Sequence, residues 1–176
     1  MFCGKEWLDV KTAIFEKWTI FSLLFFEEKM KTVFDKTTRD ELIKRINGLD
    51  ENSHRQWGKM NIYQMITHCA LWEEMILGKK KYKRVFVGRL FGKIALKGLL
   101  KDESPMGRNS PTIPEFRISG NGNISVERTK WISLIEEHAH FSNPDFEHPF
   151  FGKLTREQIG YLAYKHADHH LRQFNS

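Results

Sequence analysis

Near the end of the chain lies the segment Tyr164-Lys-His-Ala-Asp-His-His-Leu-Arg-Gln-Phe174, which carries the strongest structural signal in the sequence. It places His166 and His170 four residues apart, and on an α-helix such positions lie one turn above each other, roughly 6 Å apart. The apolar face of the same segment passes through Ile159 and Leu162, so the two imidazoles are predicted to point inward. Both rings can then reach a single point in space, which is a geometry that suits a metal ion.

A third histidine is available further back in the chain. His68 lies in the segment 61–77, on the same face as Met65, Trp72 and Met75, and this face must point into the protein. A lone histidine on an apolar helix face is more often a core residue than a ligand. Next to an inward pair at i and i+4, however, His68 becomes a candidate third ligand.

Helix signals recur from Met30 onward. Three sequences have the form of an N-terminal capping box: Thr38-Arg-Asp-Glu41, Asn61-Ile-Tyr-Gln64 and Thr155-Arg-Glu-Gln158. Apolar spacing predicts further helices over 86–100 and 125–138, joined by a Pro-, Gly- and Ser-rich connection over 102–123 that is too polar to join the core. No alternating pattern indicates a sheet, so the chain is predicted to be all-α.

Composition bounds the protein without identifying it. A chain of 176 residues with 40% hydrophobic content fits one globular domain with a substantial core. Of its two cysteines, Cys69 lies in an apolar helical pattern, where a reduced, buried thiol is expected, and the chain is not expected to depend on a disulfide framework. A net charge of +6 permits contact with phosphates but is also ordinary for a soluble protein.

Residues 1–29 differ from the rest of the chain. Their apolar run, Trp18 to Phe26, is nine residues long, whereas a membrane-spanning helix needs roughly 20. Acidic Glu6 and Asp9 precede the run, which argues against a signal peptide and favours a cytoplasmic protein. We interpret 1–29 as an N-terminal extension, arising either from an upstream start codon or as an extra helix, and 30–176 as the domain proper.

Four blocks of the sequence, in order, carry a family resemblance: Trp57-Gly-Lys-Met60, Gln64-Met-Ile-Thr-His68-Cys69, His148-Pro-Phe-Phe-Gly-Lys-Leu-Thr155 and Lys165-His-Ala-Asp-His-His-Leu-Arg-Gln-Phe174. Together they closely resemble the DUF1569 family, which is similar to a branch of the DinB-like superfamily of metal-binding four-helix bundles. The resemblance runs from about Met30 to the C-terminus. It implies a DinB-like four-helix bundle and a metal triad formed by His68, His166 and His170.

The chemistry expected of such a triad follows from its ligands. Neutral imidazoles suit several divalent ions, of which we name zinc first and nickel second. Three protein ligands leave a position for water or substrate, and the ion can make water or a thiol nucleophilic at mild pH. Thiol-dependent enzymes of the wider superfamily suggest a transferase or hydrolase acting on a small molecule, for example a low-molecular-weight thiol. The alternative is a metal-stabilised ligand-binding module without turnover.

Other residues near the triad are given lesser roles. Ala167 stands where a zinc peptidase of the H-E-x-x-H type needs its glutamate, which argues against that class. Asp168 is predicted to meet a neighbouring helix or solvent, because it lies about 200° around the helix from His166 at 100° per residue. His169 is either a second donor or proton relay beside the pair or a partly exposed histidine without a task. Phe150 and Phe151 are expected to anchor their loop.

A second hypothesis comes from nine lysines and arginines between Lys79 and Lys101, a stretch without any acidic residue. The last four, Arg89, Lys93, Lys97 and Lys101, recur at every fourth position of a helix that also carries apolar residues. Such an amphipathic basic surface binds anionic lipid or nucleic acid, steers anionic substrates, or is simply a solvated face. No nucleic-acid module accompanies it, so nucleic acid is ranked low. Whether the bundle forms a homodimer is left open.

Overall fold

The computed structural model describes residues 30–176, and both interpretations of 1–29 lie outside this range. The elements within it are α1 (Lys36–Asn47), α2 (Ile62–Ile76), α3 (Phe86–Leu99), α4 (Ile124–Glu137) and α5 (Arg156–Gln173), with 3-10 turns at Pro114–Phe116 and His138–His140. Two strands of two residues each, β1 (Glu147–His148) and β2 (Gly152–Lys153), pair antiparallel. The all-α prediction is confirmed. No helix in 30–176 has the length and apolar character needed to cross a bilayer.

Four of these helices form a bundle, and one lies outside it. Helices α1 and α2 each contact α4 and α5, with α2 running along α4, whereas α3 packs on the β-hairpin. The apolar stripes of the four bundle helices meet in a continuous core, which includes Leu42, Ile46, Met65, Ile66, Trp131, Ile135, Leu162 and Leu171. This burial of apolar surface is the main force that holds the helices together.

Two of the three predicted capping boxes are confirmed. At the start of α2 the Asn61 side chain accepts from the Gln64 amide and the Gln64 side chain accepts from the Asn61 amide; Thr155 and Gln158 do the same for α5. The box predicted at Thr38 is wrong, because the N-cap of α1 is Asp35, three residues earlier, and Thr38 is buried in the first turn of the helix.

The early start of α1 has a tertiary cause. The Val33 amide donates to the Gly160 carbonyl of α5, and the Asp35 amide closes a turn onto the Thr32 carbonyl. This docking fixes the chain direction before α1 and makes Asp35 the N-cap, in extended conformation. Contact with α5 therefore overrides the local signal at Thr38.

The position of α3 depends on two glycines and a lysine. Gly88 and Gly92 lie so close to the backbone of Phe150 that a Cβ at either position would collide with its carbonyl. At the other end of α3, the Lys165 ammonium donates to the Leu99 carbonyl at 2.7 Å and to the Asp102 carbonyl at 2.6 Å. Helix α3 is thus held against the loop that precedes α5 and against α5 itself.

The connection over 102–123 contributes one side chain to the core, although its polar composition predicts that it stays outside. Phe116, in its 3-10 turn, is buried, and its ring packs edge-on against Tyr82 and His68. The expectation that this connection stays out of the core is therefore wrong at this one aromatic residue, which brings the backbone of the connection to the candidate site.

Candidate metal centre

The structure brings the three predicted histidines together between α2 and α5. One ring nitrogen from each of His68, His166 and His170 lies within 4.8 Å of the others. Taken as whole residues, all three are buried. Their ring centroids are 5.2 Å apart for His68 and His166, 4.8 Å for His68 and His170, and 4.7 Å for His166 and His170. Helical spacing produces the close pair on α5, and the packing of α2 against α5 supplies the third ring.

A backbone carbonyl fixes the orientation of His68. Nδ1 of His68 lies 3.0 Å from the carbonyl oxygen of Phe116, and this oxygen can only accept a hydrogen bond. Nδ1 must therefore carry the proton, which leaves the lone pair of the neutral ring on Nε2. That nitrogen faces the other two histidines.

The same logic orients His170 through an amide. The Gln173 Nε2 donates to the Trp57 carbonyl at 2.9 Å, which leaves Gln173 Oε1 as an acceptor 2.9 Å from His170 Nδ1. His170 therefore donates from Nδ1 and keeps its lone pair on Nε2. Donation from the second ring nitrogen to a carbonyl or amide oxygen is the usual support of a metal-binding histidine.

His166 lies between its two partners and an aromatic wall. Its Nε2 is 3.1 Å from the Nε2 of His68, and its ring stacks on Trp72 at a centroid distance of 4.3 Å and an interplanar angle of 14°. Its Nδ1 is buried without a hydrogen-bond partner within residues 30–176. Because His68 Nε2 carries a lone pair, a proton or a cation must lie between the two Nε2 atoms.

The electrostatics of the cluster keep it uncharged. Burial lowers the pKa of His68, His166 and His170, and each of the last two is lowered further by the neighbouring histidines. The neutral imidazole is the form that binds metal. Nitrogen atoms of tetrahedral ligands at about 2.05 Å from an ion lie roughly 3.3 Å apart, close to the spacing of His68 and His166. This donor set fits a divalent ion, and the cluster could hold one.

Neighbouring residues serve other purposes. Asp168 accepts hydrogen bonds from Arg45 of α1 at 2.8 Å and from Arg172 at 2.7 Å, in agreement with the prediction that it meets another helix. Cys69 is fully buried, and burial raises the pKa of its thiol well above the usual value, so it stays protonated. Neither residue supplies a ligand to the cluster.

The structure corrects one of the two predictions made for His169. This residue is buried rather than partly exposed, and its ring packs edge-on against Trp57 at 5.7 Å and against His170 at 5.0 Å. Burial lowers the pKa of His169, which therefore remains neutral at neutral pH.

Sequence reasoning missed two groups that shape the centre. The Phe116 carbonyl belongs to a connection that was assigned no role, and Gln173 was not considered at all. A signal for Gln173 did exist, since it follows His170 by three residues and therefore lies on the same helix face. No signal in the sequence identifies the Phe116 carbonyl, because every residue carries such a group.

His148 is a further buried histidine near this region. Its Nδ1 accepts hydrogen bonds from the amides of Phe150 and Phe151, at 3.1 and 3.2 Å. Burial and, secondarily, the positive charge of Arg84 lower the pKa of His148 to about 3. In its neutral form, His148 thus holds the loop before α5. The centroid of its ring lies 6.3 Å from that of Trp72, which stacks on His166.

Fold and site together define a helical protein with a buried three-histidine cluster between two bundle helices. The chain belongs to the DUF1569 family, described as proteins of unknown function, whose model matches residues 27–176. This confirms the resemblance found in the four sequence blocks. No curated protein matches the chain. No solved structure matches it either.

Proposed function

We propose that this protein binds one divalent metal ion through His68, His166 and His170 and uses it to activate a small nucleophile. The observation that carries the proposal is the convergence of three ring nitrogens within 4.8 Å, with two of the lone pairs directed inward by fixed hydrogen bonds. Zinc and nickel are the first candidates, because neutral imidazole suits both ions.

The three ligands would make the bound ion a strong Lewis acid. The three ligands are neutral, and the cluster contains no carboxylate, so they would leave the charge of a divalent cation undiminished. When bound, such an ion lowers the pKa of a coordinated water or thiol toward neutrality, as three-histidine zinc sites do. The protein residues orient the ligands: Phe116 and Gln173 hold two rings in the required tautomer, and Trp72 supports the third.

A thiol is the nucleophile we favour, and it must come from outside the described chain. Cys69 is sequestered in the core, with its sulfur 3.7 Å from the sulfur of Met65 and its thiol kept protonated by burial. We assign the carboxylate of a low-molecular-weight thiol to Arg108, which is linked to the cluster through a chain of ring contacts. The guanidinium of Arg108 lies 4.5 Å from the Trp57 ring, which in turn packs against His169.

The first test is metal analysis of the full chain purified without chelators. We expect about one equivalent of metal in the unaltered protein and a large loss in His68→Ala and His166→Ala. His140→Ala is the matched control, because His140 is an exposed histidine outside the cluster. Circular dichroism must show that each variant remains helical, and His166→Gln, which keeps a planar polar group, replaces any variant that unfolds. Stoichiometric metal in the cluster variants would end the proposal.

The second test asks for turnover. The metal-loaded protein is incubated with a panel of small thiols and electrophiles, and with ester substrates for hydrolysis. We expect product formation that depends on added metal and is lost in His170→Ala. Turnover that is equal in metal-loaded and metal-free protein would contradict an activating role for the ion.

The burial of all three histidines favours one alternative, a metal-stabilised binding module without chemistry. In that case the ion would only tie α2 to α5, and its removal would lower the melting temperature. Chelation that lowers the melting temperature, combined with no turnover across the panel, would favour this alternative.

A further inference from the structure

Helix α3 exposes an unusually apolar surface. Large hydrophobic side chains that are more than half exposed are concentrated on it: Phe86 at 74%, Val87 at 56%, Leu90 at 58%, Phe91 at 56% and Ile94 at 73%. Single exposed apolar residues are ordinary, but five on one helix form a contiguous patch, and such patches mark interaction sites.

The spacing of residues on α3 sorts its surface into rows. Gly88, Gly92 and Leu96 form the row that faces the protein. Because side chains four residues apart lie on one face, the neighbouring row consists of Arg89, Lys93 and Lys97, and the rows beyond it are apolar. The exposed surface of α3 is therefore amphipathic in its own right, with an apolar face and a basic edge.

The structure also shows which of the predicted cations remain available. Lys79 pairs with Glu137 at 2.6 Å and Lys80 with Glu74 at 2.8 Å, so the beginning of the basic stretch is neutralised within the fold. Lys93 donates to the Lys153 carbonyl, which leaves its positive charge in place. Arg89 and Lys97 form no ion pair with any residue of 30–176 and are exposed.

We propose that α3 lies on the surface of a bilayer that contains anionic phospholipid. Its axis would run parallel to the membrane plane. Phe86, Leu90 and Ile94 would enter the boundary between headgroups and acyl chains, while Arg89 and Lys97 contact lipid phosphates. An apolar helix face bordered by lysine and arginine is the pattern that binds such interfaces, because burial and charge attraction act together.

Two other occupants fit the surface less well. In a dimer with twofold symmetry, the same patch of each chain faces the other. Two basic rows would then come together, and 79–101 contains no acidic residue to neutralise them. Nucleic acid would satisfy the basic row, but its phosphate backbone offers nothing to the exposed Phe86 and Ile94. Anionic lipid satisfies both halves of the surface.

The test is cosedimentation of the full chain with vesicles of phosphatidylcholine alone or of phosphatidylcholine with phosphatidylserine. We expect binding to the anionic vesicles that weakens at high salt, and little binding to the neutral ones. Leu90→Glu combined with Ile94→Glu should lower the partition coefficient by about 100-fold or more, since two apolar side chains no longer enter the interface. Arg89→Glu combined with Lys97→Glu should lower it by about 30-fold or more.

Matched controls lie on other helices. Val126→Glu changes an exposed apolar residue of α4, and Lys44→Glu changes an exposed lysine of α1; both should bind vesicles like the unaltered chain.

Full binding by the α3 variants would assign lipid binding to another part of the chain and overturn the proposal. A concentration-dependent dimer that Ile94→Glu abolishes, without vesicle binding, would instead identify a second copy as the occupant. Retention on nucleic acid that only the charge reversal abolishes would also contradict the proposal.

Discussion

Gln173 accepts a hydrogen bond from Nδ1 of His170 across 2.9 Å, one turn further along the same helix. The amide is itself held in place by its donation to the Trp57 carbonyl, so loop, amide and imidazole form a chain of fixed hydrogen bonds. Such a chain determines which nitrogen of His170 faces the cluster. It makes Gln173 a positioning residue for the proposed metal site.

Gln173→Leu should therefore weaken metal binding without removing a ligand. Loss of the acceptor frees His170 to rotate or to change tautomer, and loss of such support commonly costs 10- to 100-fold in affinity, so we expect a decrease on the order of tenfold or more. The measurement is a competition titration with a chromophoric chelator. Gln56→Leu, at an exposed glutamine, is the control and should leave the affinity unchanged. Equal affinities for the Gln173 variant and the unaltered protein would contradict this role.

A second buried pair, between Glu73 of α2 and His138, should matter for stability rather than for metal. Oε2 of Glu73 lies 2.7 Å from Nε2 of His138, and both side chains are fully buried. His138→Leu leaves the carboxyl group buried without a partner, which should lower the free energy of unfolding by about 3 kcal/mol. Urea denaturation measures this loss.

The double variant Glu73→Leu with His138→Leu separates pairing from packing. With both polar groups removed, neither the carboxyl group nor the imidazole of this pair is left unpaired, so the double variant should recover much of the stability lost by the single one. If the double variant loses more unfolding free energy than the two single variants lose together, the two residues would have a role beyond providing each other's hydrogen-bond partner.

His148 should contribute to the pH dependence of stability. Its pKa is lowered from 6.5 to about 3 in the folded protein, so between these two pH values the unfolded chain binds one proton more. The contribution is therefore complete above pH 6.5 and is lost as the pH falls, with a slope of up to about 1.4 kcal/mol per pH unit.

His148→Asn should flatten this dependence, because the asparagine oxygen can accept the Phe150 and Phe151 amides as Nδ1 does but does not titrate. Urea denaturation of chelator-treated protein between pH 4 and 6 gives the slope. His54→Asn, at an exposed histidine, provides the comparison. An identical slope for His148→Asn and the unaltered protein would be the adverse result.

The cap of α5 gives a prediction about local stability. The Thr155 hydroxyl accepts from the Gln158 amide at 3.2 Å, and Thr155→Ala should cost about 1 kcal/mol through the loss of this bond. Thr129→Ala is the matched change within α4, where the hydroxyl only donates back to the Ser125 carbonyl, and it should cost close to nothing. Chemical denaturation of both variants makes the comparison, and an equal cost would show that the cap contributes little.

Much of the candidate site could be predicted because it rests on short-range periodicity. The i, i+4 spacing of His166 and His170 survives in any α-helix, and the apolar neighbours of His68 determine which way its face points. The capping boxes of α2 and α5 could be predicted for the same reason, since each involves only four consecutive residues. The box at Thr38 failed because contacts between 32–35 and α5 decide where α1 begins.

The orientation of α3 lay beyond sequence reasoning. Its spacing indicates an amphipathic helix, and the apolar residues would ordinarily be assigned to the protein side. The close approach of Gly88 and Gly92 to the Phe150 backbone reverses this arrangement, because only a face without side chains can come so near. The partners of the histidines were equally hidden, since Phe116 is separated from His68 by 48 positions and Trp57 from Gln173 by 116.

The use of the Phe116 and Trp57 carbonyls as supports has an evolutionary consequence. A carbonyl oxygen is common to all amino acids, so a substitution at either position that leaves the main chain in place does not deprive His68 or Gln173 of its acceptor. What must be inherited is the path of the main chain past the cluster. Substitutions that keep the rings at positions 57 and 116 packed against His169 and His68 preserve that path, and with it both acceptors.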